Sequence, residues 1–353
     1  MRLRQLKYLA GTAGLSLLTL GGAIAPTSAA TVHVVPVGGS IQQVVDQARP
    51  GDTVFIPAGV YRGSVQVRTD RLTIAGAGAD TRIEPGADAA TSPCAAQGHG
   101  ICVAGTAAHP LVGVRIVSLD VSGFTKDGLM ATWTDRLSVR GVIARGNGEH
   151  GIRQDRSVRG DFRGNIAEGN AETGIFLANT VTEEGGATDA QGAQVTGNRV
   201  AGNRIGITVR RLQNLTVERN IVTGNCGGVF VVGDEGIPRA GKLTVRGNRV
   251  TENNRYCAAS NRLPVIQGAG IVLTGVEEAH VTDNEVRDNK GESTMSGGIV
   301  LFPSFAGVAN SRNVVTGNTV RGNQPADLAD RDKGTGNVFT ANQCAVSLPA
   351  GRC

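Results

Sequence analysis

Asparagine recurs along this chain in pairs five residues apart: Asn165 with Asn170, Asn198 with Asn203, Asn220 with Asn225, Asn248 with Asn253, Asn284 with Asn289, Asn318 with Asn323, and Asn337 with Asn342. Around most pairs a Val stands three before the first Asn and another two after it. The clearest copies continue to Gly-Ile or Gly-Val, as in Val217, Val222 and Gly228-Val229, or Val195, Val200 and Gly206-Ile207. Ile207-Thr208-Val209 and Leu215-Thr216-Val217 alternate with period two, the mark of short strands with one face inward. Each repeat therefore holds about three short strands and three turns.

Gly128, Gly151, Gly174, Gly206 and Gly228 open the most recognisable strand at intervals of 23, 23, 32 and 22 residues, followed by 42 and 28 to Gly270 and Gly298. A minimal coil of about 22 residues, lengthened by loops at a fixed corner, accounts for this, because such loops leave stacking undisturbed. A leucine-rich repeat would want Leu and a helical return. A propeller would need about 40 residues per blade, and the calcium-binding G-G-x-G-x-D nonapeptide is absent. The 51 glycines and 3% aromatic residues also argue against a helical bundle. The expected fold is all-β: a right-handed, single-stranded parallel β-helix of about 9–11 coils. Asn tolerates a left-handed turn, and amides stacked about 4.8 Å apart can hydrogen-bond as a ladder. Both properties give the pairs a structural role.

Residues 1–30 read as a signal peptide: Arg2, Arg4 and Lys7 lead an apolar run from Leu15 to Ile24, and small residues from Thr27 to Ala30 suit cleavage. Its removal takes three charges from the formal +5 and leaves about +2, which argues against a nucleic-acid or anionic-membrane partner. A soluble, extracellular mature protein follows as the expectation. Six cysteines in an exported chain imply disulfides, and proximity pairs Cys94 with Cys102, Cys226 with Cys257, and Cys344 with Cys353. No CxxC favours zinc. Residues 31–353 form one β-helix domain in this reading. Ser40 caps a helix over 41–49 whose Ile41, Val44, Val45 and Ala48 cover the first coil, and residues 336–353 make a disulfide-closed C-terminal cap. Oligomeric state carries no sequence signal.

The segment SIQQVVDQARPGDTVFIPAGVY resembles the N-terminal part of pectin-lyase-like right-handed β-helix proteins. The blocks GNCGGVFV, NRYCAAS with PVIQGAGIVL, and SGGIVL resemble secreted actinobacterial β-helix repeat proteins of NosD-like type. The resemblance spans nearly the whole mature chain. It implies fold more than reaction, and no catalytic residue comes with it.

In pectin-lyase-like enzymes the substrate lies along one parallel sheet, so outward residues in register are the ones to compare. Counted from the opening Gly, position +2 holds Met130, Arg153, Phe176, Thr208 and Phe230. Position +4 holds Thr132, Asp155, Ala178, Arg210 and Val232, and position +5 holds Trp133, Arg156, Asn179, Arg211 and Gly233. The catalytic candidates are Arg153, Asp155, His150 and Arg210, and the substrate-binding candidates are Trp133, Arg156, Asn179 and Arg211. Uronate β-elimination needs a cation at the sugar carboxylate and a base for the C5 proton. Arg153 and Arg210 fit the first need, Asp155 a positioning role, and His150 the base. The alternative is a solvated charged face with a surface-packed Trp.

His150-Gly-Ile resembles part of alginate epimerases and lyases, without their Asp-Pro-His-Asp motif. Gly98-His99-Gly100 resembles the Gly-His-Gly of polygalacturonases, and Arg331-Asp332-Lys333 their Arg-x-Lys, but the carboxylates that inverting hydrolysis requires are absent. His99 is then part of a disulfide-closed loop. No cofactor is required. Calcium is the one ion the loop acids Asp234, Glu235, Glu183, Glu184 and Asp189 could serve. Two readings follow: a secreted β-helix that acts on or binds acidic polysaccharide, by lyase or epimerase chemistry if catalytic, or a non-catalytic extracellular scaffold or binding module.

Overall fold

The structure, a computed structural model, describes residues 29–86, 92–180, 185–260 and 263–353. The expected signal peptide lies outside them except for its last two residues. Three long all-parallel sheets of 12, 10 and 11 strands run side by side along the molecule. From Thr53–Ile56 to Val338–Thr340 successive strands pass from one long sheet to the next, apart from a small two-stranded sheet of Leu111–Val112 and Thr134–Asp135, so the chain winds as a coil, right-handed as parallel crossovers are, and each strand pairs with its counterpart one turn away. The first sheet runs from Val32–Val34 to Val338–Thr340, the second from Gly59–Arg62 to Thr319–Arg321, and the third from Val65–Val67 to Ser347–Leu348.

Register is kept by columns of like side chains. In the first sheet Val195, Val217, Val245, Val281 and Val315 stack in line. In the second, Val200, Val222, Val250, Val286 and Val320 do the same. In the third, Ile152, Ile175, Ile207, Val229 and Ile271 face inward. All are fully buried in one continuous core. Because side chains alternate across a strand, a slip of one residue would expose a whole column.

The Asn pairs form two ladders. One runs Asn165, Asn198, Asn220, Asn248, Asn284, Asn318 and Asn342. The other runs Asn147, Asn170, Asn203, Asn225, Asn253, Asn289 and Asn323, and closes on Asp327. Beyond the leading Asn of each ladder, whose Oδ1 takes the Val142 or Phe124 amide, each Asn Oδ1 takes both the amide N–H and the side-chain Nδ2 of the Asn one coil back, as Asn220 does from Asn198, both at 2.9 Å. The left-handed conformation expected of these asparagines falls instead on the residue before each one: Gly164, Gly197, Arg219, Gly247, Asp283, Gly317 and Ala341 precede the first ladder. The turn is made there, which lets the amide itself point into the coil. The last pair also differs in phase. Asn342 continues the ladder of first members, and Asn337 pairs with Asn313.

At the N-terminal end the helix spans Ile41–Val45 and ends short of the expected residue 49. Ser40 accepts from the Gln43 amide, and Ile41 and Val45 are buried. Gln42 ties the helix to the first strand of the third sheet through both backbone groups of Gln66. Asp52 accepts from the amides of Thr31 and Arg49 and contacts His33 Nε2 at 2.8 Å, pinning the first strand to this cap. A second short helix, Pro93–Gln97, carries Cys94. The three disulfides join Cys94 with Cys102, Cys226 with Cys257, and Cys344 with Cys353.

Candidate functional site

The outward face of the third sheet changes character along its length. In its later coils Phe230, Val272, Val300 and Ala329 form an apolar strip, and Ile266 and Met295 from inserted loops pack on it as a second buried cluster. The insertion between Asn253 and Ala269 is held down by the Cys226–Cys257 disulfide and by a reciprocal pair of backbone bonds between Cys257 and Ile266. At the other end, Cys102 of the same outward column is covered by the Pro93–Gln97 helix through the Cys94–Cys102 disulfide.

Between these two covered regions a cleft of about 660 Å³ opens. Arg153, Phe176, Thr208 and Phe230 form one row of its floor, paired strand to strand. Arg210, Val232 and Thr274 form the next. Loop residues Gly148 to His150, Glu172, Asp234, Glu235, Leu263 and Phe305 supply its walls. The +2 and +4 columns expected from the Gly spacing are therefore the columns observed.

Of the sequence candidates, His150, Arg153, Arg210 and Arg211 line this cleft, while Asp155, Trp133, Arg156 and Asn179 are not in its lining. Asp155 is buried beside the floor and holds Arg153 from the same strand, with Nε at 3.0 Å and Nη2 at 2.5 Å from Oδ2. The two residues share one face because they are two apart. Burial pushes the Asp155 carboxyl up, and the Arg153 hydrogen bond draws it back. Arg211 is buried, and its Nε bonds Asp234 Oδ2. Trp133 lies at the sheet margin with the Arg156 guanidinium 5.5 Å from its ring centre. Arg156 also donates to Thr180 Oγ1, and Asn179 donates to the Gly186 carbonyl. These three brace a corner next to the cleft.

Asp127, not singled out in the sequence, joins the groups around Arg153. His99, Asp127, His150 and Thr173 each stand immediately before a strand-opening Gly and form a column at the sheet edge. The Asp127 amide donates to His99 Nδ1 at 3.2 Å, the His150 amide to Asp127 Oδ1 at 3.0 Å, and the Thr173 amide to His150 Nδ1 at 3.1 Å. Asp127 is fully buried, and its Oδ2 lies 3.2 Å from His99 Nδ1 and 3.5 Å from an Arg153 Nη1. Burial would raise this carboxyl, but the His99 contact and the nearby His150 and Arg153 hold it below the usual carboxylate range. The His150 ring stacks flat on Phe176, with centroids 4.6 Å apart. Because Nδ1 takes the Thr173 amide N–H, the neutral form of the ring is the one with its proton on Nε2.

Among the loop acids suggested for calcium, Asp234 takes Arg211 and the Gly236 amide, and Asp189 takes the Gln191 amide and Asn214. Glu183 and Glu184 lie outside the described residues. Among the described residues no three His, Cys, Asp or Glu side chains gather as a metal site.

Residues 178–348 match a family described as "Periplasmic copper-binding protein (NosD)". With every cysteine in a disulfide and no gathered donor set among the described residues, the donors do not fit copper in the manner of that description. No curated protein matches the chain in sequence. Among solved structures it is similar to the Azotobacter vinelandii mannuronan C-5 epimerase AlgE4 A-module, at 18% identity over 89% of this chain and 95% of that one, with a TM-score of 0.61. It is also similar to DFA-IIIase from Arthrobacter chlorophenolicus A6 without its lid, at 16% identity over 90% and 89%, with a TM-score of 0.61. The periplasmic alginate epimerase AlgG aligns at 14% identity over 90% and 85%, with a TM-score of 0.57. At these identities the likeness is one of fold. From its stacked parallel sheets, its N-terminal cap and these likenesses, the chain has the pectin-lyase-like right-handed parallel β-helix fold, and over residues 178–348 it is similar to the NosD family.

Proposed function

We propose that this protein binds a polysaccharide laid in the cleft on the third sheet, and that any catalysis it performs takes place there. One observation carries the reading: an open cleft on that sheet's outward face, floored by side chains in register over successive coils and walled by corner loops. The names of its structural neighbours, two alginate-type epimerases and DFA-IIIase, are in keeping with carbohydrate as the ligand class. Export to an oxidising compartment suits the three disulfides.

In the catalytic form of this reading the ligand is an acidic chain and the reaction a uronate β-elimination or epimerisation. Arg210 meets the sugar carboxylate, and a base takes the C5 proton. For elimination, the electrons form the C4–C5 double bond as the C4–oxygen bond breaks and the departing oxygen takes a proton from water; for epimerisation, a proton from water returns to C5 on the opposite face. Two observations weigh against the assigned roles of Arg153 and His150. Arg153 is already committed to Asp155, and the His150 Nδ1 lone pair to the Thr173 amide. His150 then serves as a hydrogen-bond donor to a sugar oxygen, and Arg153 as a fixed part of the floor. This favours binding over turnover.

Purified protein offered pectate, alginate and glycosaminoglycans, with and without calcium, tests the catalytic form through unsaturated-uronate absorbance and epimer content. Binding to a glycan without turnover identifies a binding module. Binding to no glycan leaves the scaffold reading, in which the coils display a surface to protein partners.

A further inference from the structure

Cations lining a cleft attract a polyanion only if their charge is not already met. Here Arg153 faces both Asp155 and Asp127, and Arg211 faces Asp234. On the wall, Glu149 is met by Lys126 and Glu172 by Arg204. Arg210 and Glu235 add one charge of each sign. The charges around the cleft thus balance, cation against carboxylate, and the field that would draw in a string of carboxylates is absent from the described residues. Seating a uronate on Arg153 or Arg211 would require breaking a pair and leaving a carboxylate, buried at Asp155 or half-buried at Asp234, uncompensated.

The aromatic surface points the same way. Phe176 and Phe230 are nearly buried, but Phe305 on the wall is 67% exposed, with its ring tilted against Phe302 at a centroid distance of 6.0 Å. An exposed aromatic ring on a cleft rim costs solvation unless something apolar covers it, and the C–H face of a sugar ring is such a cover.

We infer that the cleft takes an uncharged glycan, held by its hydroxyls on the paired polar groups and by a sugar face on Phe305. This rests on the polysaccharide reading above and narrows it. Affinities of the full mature chain for neutral oligosaccharides (gluco-, xylo-, manno-, arabino- and fructo-series) and for oligouronates, at low and at raised salt, test it by calorimetry. The expected result is binding of at least one neutral series with little salt dependence, weakened about tenfold in Phe305→Ala. Phe305→Tyr should retain it. Selective binding of oligouronates that collapses with salt overturns this inference and leaves the polysaccharide reading standing. Binding to neither class overturns both. Neutral binding unchanged in Phe305→Ala overturns the role of Phe305.

Discussion

Replacing Asn220 with Ala should destabilise the fold more than almost any other polar substitution in the chain. Asn220 is fully buried. Its Oδ1 accepts from the Asn198 amide and Nδ2, and its Nδ2 donates to the Val195 carbonyl and Asn248 Oδ1, all at 2.9 Å. At about 1 kcal/mol net per hydrogen bond the four amount to about 4 kcal/mol. The Asn198 amide is left without an acceptor in the interior, so the loss should not fall below about 3 kcal/mol. The control is Asn214→Gly. Asn214 is exposed, already left-handed at φ 54, and spends its side chain on one bond to Asp189, so its loss should stay within about 0.5 kcal/mol. Urea unfolding followed by far-ultraviolet circular dichroism gives both values from the midpoint shift, provided the slope is unchanged. A cost for Asn220→Ala below about 1 kcal/mol, or no larger than the control's, would refute the claim that the ladders hold the coils together.

Glu252 occupies a left-handed turn position at φ 55, where the equivalent residues of other coils are Gly202 and Gly224; Glu252→Gly should raise stability by about 0.5–1 kcal/mol in the same urea assay. Asp52 is held at a pKa of about 2, below its ordinary 3.8, by the Thr31 and Arg49 amides and by His33. A folded-state value below the unfolded one gives stability that is present above about pH 4 and lost as pH falls toward 2, so Asp52→Asn should flatten the acid limb of the unfolding profile while leaving its shape near neutrality unchanged. The Cys226–Cys257 disulfide spans a separation of 31 residues; its removal as a double Ala variant should cost about 3–4 kcal/mol from loop entropy and expose the 254–266 insertion to proteolysis, and equal cleavage rates with and without it would argue that packing alone holds the insertion.

The fold was legible because its signal is repetitive. A Val-x-x-Asn-x-Val unit recurring five times between Val195 and Val320 reports the coil and its inward face, and the glycine spacing aligned Met130, Arg153, Phe176, Thr208 and Phe230 as the register pairs them. The site was less legible because it depends on what lies next to what outside the repeat. Nothing in spacing alone says that Arg153 and Asp155 satisfy each other, that Arg211 turns to Asp234, or that the 254–266 insertion covers the later coils. Asp127 could have been found: it precedes Gly128 as His150 precedes Gly151, and that shared offset marks the column. The paired asparagines are not left-handed themselves, because tolerance of a left-handed turn is only a permission. The buried amide ladder was the stronger demand, and it moved the turn to the preceding residue.

The ladders make each coil an interchangeable module. A turn that offers one Asn amide upward and one downward joins any neighbour that does the same, so a coil added within the third sheet would lengthen the cleft floor by one strand spacing, about 4.8 Å, without redesign of the coils around it. A new corner loop would re-line the walls at equally small cost to the stack. Shape and selectivity are thus encoded by separate residues in this chain, and one can be changed while the other is kept.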